Sequence, residues 1–524
     1  MFDKNKTIFI LLVLASILVG TLSFVKVPVN ASYQNISNAD LQLTADQNNS
    51  SYPPLVLKNY SGTSSIQQFG VGLEGFSDSQ LEKADEANAY WVRQDVFNWD
   101  EIEPNPPNGD THTYYWDSVD EEWLQDASAR GLKIIAIIKH TPDWAQKYQG
   151  YSCGPVNEDS LDDFADFVKA AVKRYKGYIK YWEIGNEPDV DPYAVGWVPN
   201  PEHPYEYGCW GSSDDYYGGT YYGKMLSKAY PAIKSEDSEA QVIIGGLLLD
   251  CDPDYIHPDP STNYECNPKP SRFFEGILRH EDTGDGDSVL DGWKYFDIIA
   301  YHGFGHYTDN GRVKDADTAI PNWRHRGIVL GKAEFLREVM AEYNINKPIM
   351  NNEASLLFCD YVKYPNCPTP TQDFFQAQAE YVVWLNVRNI ATDILGTLWF
   401  TLPGRGWADC ALLDGSQQPR PSYESFQFMA DELRNAEFIE QTNEEIATCA
   451  DLRAYKFLKG GMQIWVMWTG DETDCDFTLP TGNLRVFDIY GNDITPPGEE
   501  LTIRAPVYVE IPLEVYLPLV LKND

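Results

Sequence analysis

The chain has 524 residues, enough for one large barrel with an appended domain, and a formal net charge of −39. That charge repels nucleic acid, anionic membrane and polyanionic glycans over the whole surface, so it excludes them as partners and favours a neutral one. Nine cysteines without a C-x-x-C pair argue for disulfides rather than a metal site.

At the N-terminus, Lys4 and Lys6 precede the apolar run Ile8 to Val19, and Val29-Asn30-Ala31 offers small residues for cleavage. Residues 1–31 therefore have the layout of a secretory signal, and a secreted or cell-surface location is expected. The alternative is an uncleaved N-terminal anchor. No other segment is apolar enough to cross a membrane. Residues 32–66 are rich in Ser, Asn, Gln and Thr and form a flexible linker. Within it, Tyr52 to Asn59 recurs as Tyr516 to Asn523 with a change only at the second position, either as a pair of edge strands or as an attachment tag. Local spacing suggests the disulfides Cys251 with Cys266, Cys359 with Cys367, Cys153 with Cys209 and Cys449 with Cys475, leaving Cys410 free.

From residue 67 the chain alternates apolar strands with amphipathic helices, the α/β pattern of a parallel sheet. Strands are predicted at Phe69 to Leu73, Tyr90 to Arg93, Leu132 to Ile138, Ile179 to Ile184, Val242 to Gly246, Phe296 to Tyr301, Pro348 to Asn352 and Leu395 to Trp399. Between the third and fourth, Leu161, Phe164, Phe167, Val168, Val172 and Tyr175 recur at helical spacing. Eight such units over residues 67–432 predict a (β/α)8 TIM barrel. Residues 433–511 change to short alternating strands and turns, a small C-terminal β-sandwich domain, with 512–524 as a tail. Trp465 and Trp468 are expected in its core.

Two of the predicted strands run into a glutamate. Glu187 follows Asn186 and precedes Pro188, which biases it to an extended conformation where the strand ends; Glu353 follows Asn351-Asn352. The C-terminal ends of barrel strands are where such enzymes hold their chemistry. Retaining glycoside hydrolysis needs one carboxylate to attack the anomeric carbon and one carboxylic acid to protonate the leaving oxygen, and strands four and seven face each other across a barrel mouth.

Further strand-end motifs fall in order: Trp99-Asp-Glu-Ile-Glu-Pro104, His140-Thr-Pro-Asp-Trp144, Asn186-Glu187-Pro188, His302, Glu353 and Trp399. In these residues the stretch from about 67 to 432 resembles the retaining (β/α)8 glycosidases of glycoside hydrolase clan A, most of all families 39 and 5. The resemblance implies Glu187 as general acid/base and Glu353 as nucleophile. It further implies Asn186 on the hydroxyl beside the anomeric carbon, Arg93 holding Glu353 ionised, Trp399 flooring the sugar site, and His140 and His302 lining it. The negative charge of Glu353 would then raise the pKa of Glu187 and keep it protonated. Phe304 stands where many relatives carry a tyrosine; Tyr307 takes that role or it is missing. The aromatic pair that follows the acid/base in typical β-xylosidases is absent after Pro188.

The loop after Pro188 is long and aromatic, with Tyr193, Trp197, Tyr205, Tyr207, Trp210, Tyr216 and Tyr217 either building sugar subsites or folding on themselves as a cap. Trp407 fits core or site equally. The acidic clusters at Asp250, Asp252 and Asp254 and at Asp282, Asp285 and Asp287 lack an EF-hand pattern and are expected to be solvated loops, so no metal is expected. The expectation is an exported β-glycosidase acting on a neutral oligo- or polysaccharide with no cofactor. An exo-acting β-xylosidase- or β-glucosidase-like enzyme is the alternative, and a non-catalytic glycan-binding surface protein the alternative of another class.

Overall fold

The structure is a computed structural model that describes residues 68–190, 210, 215–249, 272–281, 290–307, 327–359, 367–442, 451–470 and 472–513. The signal and linker segments, the repeated Leu-Val-Leu-Lys-Asn stretches, both acidic clusters and most of the aromatic loop lie outside these residues.

Eight parallel strands form the first layer: β1 (Gln68–Gly72), β2 (Trp91–Asn98), β3 (Lys133–Lys139), β4 (Ile179–Ile184), β5 (Gln241–Ile244), β6 (Ile299–His306), β7 (Ile349–Leu357) and β8 (Gly396–Trp399). Their order is β5-β4-β3-β2-β1-β8-β7-β6. Between the two ends of that order, Ile243 bridges Ile298 and Leu247 bridges Tyr301, which closes the barrel. Around it lie α1 (Asp78–Glu86), α2 (Glu121–Ala129), α3 (Leu161–Tyr175), α4 (Gly219–Glu236), α5 (Phe273–Leu278), α6 (Gly327–Glu342), α7 (Gln372–Ala391) and α8 (Pro421–Leu433). The stripe read from the sequence, Leu161 to Tyr175, is the buried face of α3.

Inside the barrel, Trp91, Ile135, Ile243, Ile298, Ala300, Met350 and Leu398 pack into one plug. A filled interior leaves only the strand ends open for chemistry.

Two departures from the predicted strands shape the mouth. β7 runs five residues past its expected end at Asn352 and is buried throughout, so Glu353 sits within the strand. Its pairing with β6 passes from Tyr301 opposite Asn351 directly to His302 opposite Glu353, leaving Asn352 as the extra residue of a bulge. A bulge lets two successive side chains share a face that ordinary alternation would separate.

The C-terminal domain is a sandwich of a five-stranded sheet, order β13-β15-β11-β10-β9, and a two-stranded β12-β14 pair. The strands are β9 (Glu437–Thr442), β10 (Leu452–Lys459), β11 (Met462–Thr469), β12 (Cys475–Thr478), β13 (Arg485–Phe487), β14 (Glu500–Ile503) and β15 (Val507–Pro512). Trp465 lies in its core against Phe477, and Trp468 is wholly buried, stacked between Tyr455 and Trp384 of α7. Cys359 pairs with Cys367 and Cys410 is a buried free thiol, as expected. Cys153 and Cys475 are disulfide-bonded to partners outside the described residues.

Candidate active site

Arg93 projects from β2 to the centre of the mouth, where its guanidinium is shared by two carboxylates. Its Nε donates to Glu183 Oε2 at 2.7 Å and its Nη2 to Glu183 Oε1 at 2.8 Å, a two-pronged pair, while Nη1 donates to Glu353 Oε1. Nη2 also donates to Asn186 Oδ1 at 2.5 Å. Burial opposes the guanidinium charge, but Glu183 and Glu353 more than offset that, so the pKa of Arg93 is raised and it stays cationic. Burial pushes the Glu353 carboxyl up; His302 and Arg93 pull it down.

Glu183 is wholly buried in β4, and besides Arg93 its Oε1 accepts the Gly246 N–H at 3.0 Å and Asn352 Nδ2 at 2.9 Å. No strand-end motif marks it in the sequence. The available signal was a carboxylate set between Trp182 and Ile184 in a strand, since such a group is found buried only when fully paired. Asn352 likewise carries no local mark, because the bulge that turns it inward is a pairing irregularity with no signature in composition.

Glu187 is not extended. Its φ is 42°, in the left-handed region, following Gly185 at 78°. Tertiary hydrogen bonds outweigh the local bias of Pro188: the Glu187 N–H donates to the Gly246 carbonyl at 3.0 Å, and Val190 donates to the Glu187 carbonyl at 3.2 Å. The turn is anchored by Asp189, also unassigned from sequence, whose carboxylate accepts the N–H groups of Leu248 and Leu249 at 2.9 and 2.8 Å. So placed, Glu187 Oε1 lies 2.7 Å from His302 Nδ1, and the same nitrogen is 3.5 Å from Glu353 Oε2. Burial lowers the pKa of His302 to about 4, so the imidazole is neutral.

Donor atoms of Glu187, His302 and Glu353 lie within 4.8 Å of one another. That compactness is shared with metal clusters, but Arg93 already supplies Glu353 with a buried positive charge and would repel a cation there. The trio is better described as a pair of close carboxyl groups bridged by an imidazole.

The other expected site residues are placed less centrally. His140, at φ 64°, lines a small cleft at the C-terminal ends of β3 and β4 that Asn186 and Trp210 also line; burial lowers its pKa to about 4. Trp399 does not floor the mouth. Strand alternation turns Leu398 into the barrel plug and Trp399 outward, where it is 1% exposed, packs on Tyr381 of α7 and donates its indole N–H to the Cys410 carbonyl. The next aromatic, Phe400, is partly buried against Phe304 and takes the inward position instead. Tyr307 packs on Phe358 and Phe374, and none of its described contacts is to Glu353. Phe304 packs edge-on to His302 and to Trp407, itself 36% exposed. The Trp99 to Pro104 motif is a brace behind the site: Trp99 and His112 hold the buried Glu103 carboxylate at 2.9 and 2.7 Å. Within the aromatic loop, Trp210 and Tyr217 are buried and Trp210 packs against Tyr222, so these members fold inward.

No family model matches the chain, and no curated protein does. Solved structures do resemble it. A family 39 glycoside hydrolase from the gut symbiont Bacteroides cellulosilyticus WH2 superposes with a TM-score of 0.57 at 16% identity, over 85% of this chain and 81% of that one. A conserved exported protein from Bacteroides fragilis gives 0.57 at 11%, over 85% and 97%. A monomeric β-xylosidase from Caulobacter crescentus CB15 gives 0.52 at 13%, over 86% and 97%. The shared feature is the fold, a TIM barrel with an attached β domain.

Proposed function

We propose that the chain is a retaining β-glycosidase acting on a neutral carbohydrate, with Glu353 as nucleophile and Glu187 as acid and then base. The observation that carries this is the approach of their carboxyl oxygens to within 4.8 Å at the barrel mouth. Retaining enzymes hold the two groups about 5 to 5.5 Å apart, whereas inverting ones leave about 6.5 Å or more for a water.

In the first step Glu353 forms a bond to the anomeric carbon. The glycosidic C–O bond breaks with its electron pair going to the leaving oxygen, which takes the Glu187 proton. In the second, water attacks the anomeric carbon, its proton returns to Glu187, and the Glu353 ester oxygen leaves with its pair. Arg93 stabilises the Glu353 carboxylate as it is released, and Asn186, held by Arg93, is placed to meet the neighbouring hydroxyl. Export fits the signal-like N-terminus, and one of the similar structures is a conserved exported protein from Bacteroides fragilis. Among the described residues no helix is long and apolar enough to cross a membrane.

The test is hydrolysis of aryl β-glycosides and neutral β-linked polysaccharides, with product configuration followed by NMR. The native chain is expected to release sugar with retention, and Glu353→Gln to lose activity by 10^3-fold or more, on the order seen for removing a catalytic group. Inversion, or a fully active variant, would sink the assignment. Exo action is the second reading, favoured by the β-xylosidase among the similar structures; release of single residues from chain ends would select it.

A further inference from the structure

Two buried polar atoms beside the carboxyl pair have no hydrogen-bond partner: His302 Nε2 and Asn352 Oδ1. Both border Gly246. A Cβ built on that residue would lie 2.1 Å from His302 Nε2 and 2.6 Å from Asn352 Oδ1, so the two orphans share the space that only a glycine leaves open. Buried groups of this kind are satisfied when chemistry allows; the two are not hydrogen-bonded to each other in this structure, and of the pair only the imidazole nitrogen can donate.

The orientation of the Asn352 amide is determined from the other side. Both Glu183 oxygens accept from Arg93, so the Asn352 group facing Oε1 at 2.9 Å is the Nδ2 donor. Oδ1 is therefore turned to Gly246 and His302. An amide oxygen needs a donor, and the imidazole nitrogen beside it supplies one only when the proton is on Nε2.

We propose that Asn352 is a positioning residue that holds His302 in its Nε2–H tautomer and thereby keeps the catalytic proton on Glu187. With Nε2 protonated and the ring neutral, Nδ1 carries a lone pair. That lone pair lies 2.7 Å from Glu187 Oε1, a distance at which two acceptors repel; Glu187 must be the donor, with O–H pointing at Nδ1. The opposite tautomer sets a lone pair on Nε2 against the Asn352 carbonyl and leaves both buried without a donor. The relay thus runs from Glu183 through Asn352 and His302 to Glu187, over three barrel strands and a loop. It deepens the glycosidase reading and rests on it for its purpose, because the acid form of Glu187 is the one the first step consumes.

Other charged groups face the relay. Glu187 is near Glu353 and near Asp189 of its own loop. His302 is faced by Glu353 and Glu183, and by Arg93 and Lys332, the last donating from α6 to the His302 carbonyl at 2.9 Å.

The experiment is long-range 15N–1H NMR of the imidazoles in the full chain labelled with 15N-histidine, with His302→Asn to identify the His302 signals. The native protein is expected to show His302 protonated on Nε2 and bare on Nδ1; a proton on Nδ1 would overturn the proposal with no variant and no substrate involved. Asn352→Leu, which keeps the volume and removes the acceptor, is expected to shift the tautomer to Nδ1–H. It should also move the alkaline limb of kcat/KM down by about one pH unit or more. Asn352→Ala serves as the second variant should the leucine fail to fold. An unchanged tautomer and alkaline limb in a folded variant would refute the role of Asn352. The expected tautomer in a chain that hydrolyses no glycoside would leave the relay standing and fell the proposed function instead.

Discussion

Arg93 carries one charge between two buried carboxylates, and the planar fork of its guanidinium is what lets it meet Glu183 with two donors while a third reaches Glu353. A lysine keeps the charge but presents a single point. Arg93→Lys is therefore expected to hold Glu183 or Glu353 and not both. Glu353, already pushed up by burial, would lose part of the attraction that opposes that push. The acid limb of kcat/KM should then move to higher pH, with kcat/KM at the optimum falling on the order of 10^2-fold, as for loss of one charge-stabilising donor. A pH profile of the purified variant on an aryl glycoside checks both; an unmoved acid limb would show that Arg93 does not tune Glu353.

At the scale of elements, the mouth depends on irregularities where strands end. The β7 bulge turns Asn352 and Glu353 to the same side, and the turn after β4 takes Glu187 into a left-handed conformation. The segment following β5 serves both: the Gly246 N–H holds Glu183, its carbonyl holds the Glu187 N–H, and its missing side chain makes room for His302. Gly246→Ala puts a methyl 2.1 Å from His302 Nε2, a separation that side chains do not tolerate. The expected result is a folded barrel with kcat lowered at least tenfold, because the neighbouring backbone is restrained by β5 and β6 and the imidazole must move off Glu187. Circular dichroism and steady-state kinetics on the same preparation test this, and wild-type kcat would mean that His302 yields without consequence.

Over the whole molecule, charge and burial combine in one direction. Burial raises Asp100 to about 6 and Asp189 and Glu432 to about 7, all above their unfolded values. The folded chain therefore holds these protons across a window, from about pH 4 to 7, where the unfolded chain has lost them. The stability they contribute is complete below that window and declines as pH rises through it. The net charge of −39 adds mutual repulsion of the same sign as carboxylates ionise. Tm is accordingly expected to fall between pH 5 and pH 8, and added salt should recover part of the loss by screening. Asp189→Asn should flatten the dependence while lowering Tm at pH 5, because the loop beyond β5 loses an acceptor for the Leu248 or Leu249 N–H. Thermal melts at the two pH values check the sign; a Tm that rises with pH would contradict it.

The sequence by itself determined the order of strands and helices, since a strand buried on both faces must be an apolar run and a helix on a barrel must carry an apolar stripe, as residues 134–138 and Leu161–Tyr175 do. It also made Glu187 and Glu353 conspicuous, because an Asn-Glu pair stopping an apolar run is unusual composition. Tertiary structure alone decided which neighbours those carboxylates have. Glu183, Asn352 and Gly246 act through contacts between residues far apart in the chain, and no local pattern reports such a contact. Trp399 shows the same limit from the other side: its position at a strand end was legible, but whether it faced the mouth or the helices depended on the register of Leu398 in the barrel plug. Side-chain alternation has a period of two, so the phase of a short strand is determined by its pairing, and pairing belongs to the folded barrel.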